Sequence, residues 1–168
     1  MIEAPALLER AAGLIRSYEA RGWTIAAAES CTGGLVAALL TEVPGSSAVV
    51  ERGFVTYSNQ AKAEMLGVPD DLIAAHGAVS APVARAMAEG ALQRSKADVA
   101  VAITGVAGPG GGTAAKPIGL VHFGMAMKNR PTLHQERRYG NLGRTTVRTC
   151  AVEDALSLLE QALAESRT

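Results

Sequence analysis

Apolar and polar positions alternate along the chain in two periods, one helical and one extended, that replace each other repeatedly. Between Ala6 and Glu19, the residues Leu7, Leu8, Ala11, Leu14, Ile15 and Tyr18 fall on one helical stripe, and Gly22 supplies a stop. The apolar run from Thr24 to Ala28 predicts a buried strand, and Gly33 to Glu42 a second helix closed by the Pro44-Gly45 turn. Val49 to Tyr57 is rich in β-formers, and Asn59 to Leu66 reads as a helix. Ser80-Ala81-Pro82 joins a hydroxyl cap to an early proline, which predicts a helix reaching Arg94. Asp98 to Thr104 and Gly119 to Met127 predict central strands, and Thr132 to Tyr139 a more exposed one. From Arg144 to Glu165, Val147, Ala151, Ala155, Leu158, Leu159 and Leu163 line one side of a long amphipathic helix.

This succession predicts an α/β fold, a three-layer α/β/α sandwich with a central mixed sheet. The sheet is mixed because only the short Asn129-Arg130-Pro131 turn joins the last two strands, which must then run antiparallel. No linker, repeat or low-complexity tract breaks the pattern, so residues 1–168 are expected to form a single domain with a substantial core, 48% of them being hydrophobic. Sixteen basic residues balance sixteen acidic ones, which argues against nucleic acid or anionic lipid as a partner. No apolar run approaches the roughly 20 residues of a bilayer span, and Glu3, Glu9 and Arg10 interrupt the N-terminal stretch where a signal peptide would be apolar. Cys31 and Cys150 stand far apart and outside any metal-ligand spacing, as suits free thiols in a reducing compartment, so a cytoplasmic location is expected. His76, His122 and His134 show no metal-site spacing either, His122 reading as a packed strand residue; neither a metal nor an organic cofactor is expected.

Three segments carry chemically loaded residues just beyond a strand, where open α/β sheets gather ligands. In the first, Ala28 to Gly34, Ser30 lies between a strand and a helix and is followed by paired glycines. Backbone N–H groups at that helix start would favour a developing oxyanion or a bound phosphate. The plainer alternative is that Ser30 or Thr32 caps the helix. In the second, Thr56 to Lys62, the lysine falls in the first helical turns and can point back to the same cleft, where a desolvated amine acts as a general base; the alternative is a solvated surface lysine. The third, Thr104 to Thr113, is a glycine-dense loop whose backbone can approach an anion closely, although its spacing is neither that of a P-loop nor of a dinucleotide fingerprint; its alternative is a flexible connection. Arg144 and Arg148 share a helix face, fitted either to a substrate phosphate or carboxylate or to acidic neighbours.

Four motifs occur in order: AESCTGG (28–34), GFVTYSNQAK (53–62), GAVS (77–80) and TGVAGPGGGTAAKPIGLV (104–121). Together they resemble the C-terminal, nicotinamide-nucleotide amidohydrolase domain of the competence/damage-inducible protein CinA family, over nearly the whole chain. The resemblance implies hydrolysis of the carboxamide of nicotinamide mononucleotide to nicotinic acid mononucleotide and ammonia, in pyridine nucleotide recycling. It implies Ser30 as nucleophile, with Tyr57 and Lys62 as its catalytic partners. Cys31, Thr32, Gly33, Gly34, Thr104, Gly105, Ala107, Gly108, Arg144 and Arg148 would then bind substrate. A homo-oligomer is also implied. Longer relatives carry an N-terminal domain with metal-dependent pyrophosphatase activity, which is not expected here. Two departures from the family pattern bear on substrate preference: Gly110 stands where an acidic residue is usual, and Leu142-Gly143 precede Arg144 in place of Gly-Asp.

Motif and local chemistry together predict that neutral Lys62, directly or through the Tyr57 hydroxyl, takes the proton of Ser30. Ser30 then attacks the carboxamide, N–H groups around residues 31–34 or 105–106 hold the oxyanion, ammonia leaves and water cleaves the acyl-enzyme. Cys31 is a rival nucleophile, although no histidine near it in sequence would activate it. The rival class is a non-catalytic nucleotide-binding module linked to competence or DNA recombination, whose sign would be the loss of Ser30 or Lys62; both are present. A glycine-loop phosphotransferase would need a lysine–hydroxyl phosphate cradle and metal-binding carboxylates that the chain does not offer.

Overall fold

Helix α1 (Pro5–Arg21) buries Leu7, Ala11, Leu14, Ile15 and Tyr18, and the chain leaves it through Gly22 in the left-handed region. These positions come from a computed structural model that describes residues 5–165, so Glu3 lies outside it. Strand β1 (Ile25–Glu29) is buried throughout. Helix α2 (Leu35–Thr41) begins two residues later than the apolar pattern suggests, because Gly33 (φ 61°) and Gly34 (φ 100°) are left-handed and cannot join it. A 3-10 turn at Ser46–Ala48 leads into β2 (Val50–Val55), followed by α3 (Asn59–Leu66), α4 (Asp70–His76) and α5 (Ala81–Gln93). Then come β3 (Val99–Gly105), β4 (Leu120–Met127), β5 (Leu133–Arg138) and α6 (Arg144–Glu165).

The sheet has five strands in the order β2-β1-β3-β4-β5. β1 runs parallel to both β2 and β3, whereas β3, β4 and β5 are successively antiparallel, so the sheet is mixed as expected. One face, with Val99, Val101 and Ile103, packs on α1, α2 and α6 through Leu14, Leu40 and Leu156; each such side chain contributes roughly 1.5–3 kcal/mol by leaving water. The other face is paved with Ala26, Ala28, Ala100, Ala102 and Ala126, and Leu66, Ile73, Val83 and Met87 cover it. Such small residues let α5 lie close to the sheet. Gly90 brings α3 equally close to α5, since a Cβ there would fall 2.0 Å from the Leu66 carbonyl oxygen. α3 is thereby fixed at the carboxyl end of β1.

Among the described residues no helix is long and apolar enough to cross a membrane. β5 forms one edge of the sheet, and its charged Glu136, Arg137 and Arg138 discourage pairing with further strands. The β4/β5 register sets Gly124 opposite His134 and brings His122 Nδ1 within 2.9 Å of His134 Nε2. Sequence spacing gave no sign of that contact.

Candidate active site

Ser30 follows β1 directly, and its N–H donates to the Ile103 carbonyl at 2.9 Å, extending the β1/β3 ladder by one residue. Its neighbours Ala26 and Ala28 face α3 and α5, so strand alternation turns Ser30 to that side and Glu29 to the α2 side. The chain then makes a turn in which Gly33 N–H donates to the Ser30 carbonyl at 3.0 Å. Neither Ser30 nor Thr32 caps α2 with its side chain; the N-cap position is Gly34.

Glu29 fills that role instead. Its carboxylate, almost fully buried, accepts from the N–H groups of Gly34 (3.1 Å), Val36 (3.1 Å) and Ala37 (2.9 Å). This corrects the expectation that the start of α2 is open to an oxyanion or phosphate: a charge of the protein's own already occupies it. Val106 N–H is also engaged, by the Leu120 carbonyl at 2.9 Å. Among the described residues, the N–H groups of Cys31 and Thr32 remain without an acceptor beside Ser30. Glu29→Ala is expected to destabilise the fold by about 2–3 kcal/mol, the scale of a lost charge-assisted hydrogen-bond set. Urea unfolding measures it, and an unchanged midpoint would mean that packing alone holds α2.

Lys62 reaches Ser30 from α3, whose first turn is capped by Ser58 Oγ accepting from Ala61 N–H at 3.0 Å. Lys62 Nζ lies 3.0 Å from Ser30 Oγ, 2.9 Å from the Thr56 carbonyl oxygen and 3.4 Å from that of Tyr57. The residue is only 1% exposed, and no described carboxylate forms an ion pair with it. Burial therefore pushes its pKa below the ordinary lysine value. Nζ donates in all three contacts, to the two carbonyls and to Ser30 Oγ, and loss of one proton would leave its lone pair facing the Ser30 hydroxyl. The solvated-surface alternative for Lys62 is thereby removed.

The other predicted residues make contacts of their own. Cys31 is buried, and desolvation pushes its thiol up to about 12, far from a reactive thiolate. Tyr57 is 59% exposed, and its phenol oxygen accepts from Arg144 at 2.8 Å; its tie to Lys62 is through the backbone, so the Ser30–Lys62 contact needs no phenol relay. Arg144 also donates to the Gly108 carbonyl at 2.9 Å, joining the second motif to the glycine loop. Arg148 donates to the carbonyls of Cys31 (3.0 Å) and Thr32 (2.9 Å), holding the turn behind the serine. Neither arginine meets an acidic neighbour by these contacts; both clamp backbone. Thr104 stands beside Ser30 on β3 and donates to the Ala78 carbonyl at 2.9 Å, which brings the GAVS motif to the site. Gly105 allows close strand approach, since a Cβ there would lie 2.7 Å from Val121. Ala107 is buried, and a Cβ at Gly110 would meet nothing within 4 Å, so the acidic residue usual in the family would find room there.

Fold and site thus define an α/β sandwich that holds a buried serine–lysine pair at the carboxyl end of a central parallel strand. The CinA C-terminal domain profile matches residues 8–163, and the chain belongs to that family. A CinA-like protein of Mycolicibacterium gilvum is 58% identical over 143 residues, covering 84% of this chain and 33% of the relative. A CinA-like protein of Anaeromyxobacter is 48% identical over 161 residues, covering 96% of this chain and 37% of the relative. The chain therefore spans about a third of the length of these curated relatives. The crystal structure of a competence/damage inducible protein from Agrobacterium tumefaciens superposes with a TM-score of 0.94 at 51% identity, over 98% of this chain and 99% of that one. A CinA superfamily protein from Escherichia coli gives a TM-score of 0.88 at 34% identity, over 96% of this chain and 94% of that one.

Proposed function

We propose that this domain is a serine–lysine amidohydrolase that converts nicotinamide mononucleotide to nicotinic acid mononucleotide and ammonia. The observation that carries the reading is the 3.0 Å contact between Ser30 Oγ and the buried, carboxylate-free amine of Lys62. Neutral Lys62 takes the hydroxyl proton as Ser30 Oγ attacks the carboxamide carbon, a step in which a positioned base is worth about 10²–10⁴-fold. The N–H groups of Cys31 and Thr32 receive the oxyanion, each such donor lowering the barrier by about 3 kcal/mol. Lys62 then passes its proton to the leaving nitrogen, ammonia departs, and water releases the acid. We place this activity in the cytoplasm of the cell, with a small molecule rather than nucleic acid or membrane as its partner and with the chain acting as a homo-oligomer.

Incubation of purified protein with nicotinamide mononucleotide is expected to release ammonia and nicotinic acid mononucleotide in equal amounts. Folded protein that releases neither would overturn the reading. The glycine loop between Ala107 and Gly112 offers backbone N–H groups to the substrate's phosphate. Nicotinamide riboside, which lacks that phosphate, is accordingly expected to show a kcat/KM lower by about 10²-fold, the loss of a pair of charge-assisted hydrogen bonds. Equal values for nucleotide and nucleoside would remove the phosphate from the recognition scheme.

A further inference from the structure

We propose that the Thr56 hydroxyl positions the water that hydrolyses the acyl-enzyme, a role that rests on the reading of Ser30 as the acylated nucleophile. Thr56 N–H donates to the Glu29 carbonyl at 2.8 Å, so Thr56 stands beside Ser30 as Val55 stands beside Glu29. Phe54 and Ala28 belong to the face covered by α3 and α5, whereas Val55 lies against Gly34 on the α2 side. Alternation thus puts Thr56 and Ser30 on the same face, on strands roughly 4.8 Å apart. The Thr56 carbonyl already holds Lys62 Nζ at 2.9 Å. Its hydroxyl, however, is 0% exposed and has no hydrogen-bond partner among the described residues.

An unpaired buried hydroxyl costs stability that valine, equal in volume and a better strand former, would avoid. A water bridging Thr56 Oγ and Lys62 Nζ would satisfy the hydroxyl and stand next to the Ser30 ester. Thr32 also carries an unpartnered hydroxyl, but no hydrogen bond ties it to Lys62. In the step itself the water oxygen bonds to the acyl carbon while one of its protons moves to neutral Lys62. The bond from the acyl carbon to Ser30 Oγ then breaks, and Lys62 returns the proton to Ser30 Oγ. Carboxylic acid and free serine result, with no other reactant.

Rapid-quench measurement of ammonia from nicotinamide mononucleotide tests this with Thr56→Val and Thr56→Ser. Thr56→Val is expected to release one ammonia per site in a burst, then turn over about 100-fold more slowly than wild type, the scale of a misplaced reactant. Intact mass should then show the acyl group on the protein. Thr56→Ser should restore turnover to within a few-fold and abolish the burst. Thr56→Ala must show the same burst, which keeps the test valid if valine disturbs folding. A wild type that turns over while neither hydroxyl-free variant shows a burst would overturn the role of Thr56 alone. A wild type that releases no ammonia would overturn the serine amidase reading, and this role with it.

Discussion

Ser30→Ala is expected to lower ammonia release from nicotinamide mononucleotide by on the order of 10⁴-fold or more, whereas Cys31→Ala stays within several-fold of wild type. The two side chains are adjacent in sequence but not equivalent in chemistry. Ser30 Oγ is the atom set 3.0 Å from the Lys62 amine. Cys31 belongs to the buried core, and with its thiol pKa pushed up to about 12 it yields almost no thiolate at neutral pH. Circular dichroism serves as the folding control for both variants. Activity that survives in Ser30→Ala and vanishes in Cys31→Ala would make this a cysteine hydrolase.

Lys62→Arg is expected to lose about 10³-fold in kcat/KM although it keeps the positive charge. A guanidinium does not lose its proton at any working pH, so it cannot accept one from Ser30. It can still donate to the Thr56 and Tyr57 carbonyls and attract an anionic substrate. The substitution therefore separates two duties that removal of the side chain would confound. Ammonia release close to the wild-type rate would show that Lys62 acts as a cation and that another group is the base.

Much of this architecture is legible in the sequence where a single period runs unbroken. The stripe from Val147 to Leu159 places α6 within its observed bounds, and the alanine- and valine-rich runs give β1 and β3. Boundaries fail where backbone conformation overrides composition, as at Gly33 and Gly34, which delay α2. The seven-residue helix α4 escapes the pattern because it buries only Ile73, although Pro69 followed by Asp70 and Asp71 is a readable helix start.

Within the site, the motifs and a resemblance lead to Ser30 and Lys62, whereas Glu29 goes unrecognised. A carboxylate one residue before the serine and five before Gly34 carries no capping-box spacing; only the turn between them brings it under α2. The backbone contacts of Arg148 are hidden for a related reason. Its place on a helix face fits a ligand or an acidic neighbour, and the carbonyls it binds belong to residues more than a hundred positions away. His122 and His134 meet through strand register, a property of the sheet that spacing along the chain does not encode.

The dependence of kcat/KM on pH in the wild type tests the Ser30–Lys62 pairing most directly. Protonated Lys62 has no lone pair, so activity should be low at acid pH and rise in proportion to hydroxide until the amine is neutral, then level off. Because burial disfavours the ammonium, the levelling should come below the ordinary lysine range. The same limb should be missing from the residual activity of Lys62→Arg. A wild-type profile that stays flat through that range, or falls as pH rises, would contradict the assignment of Lys62 as the base.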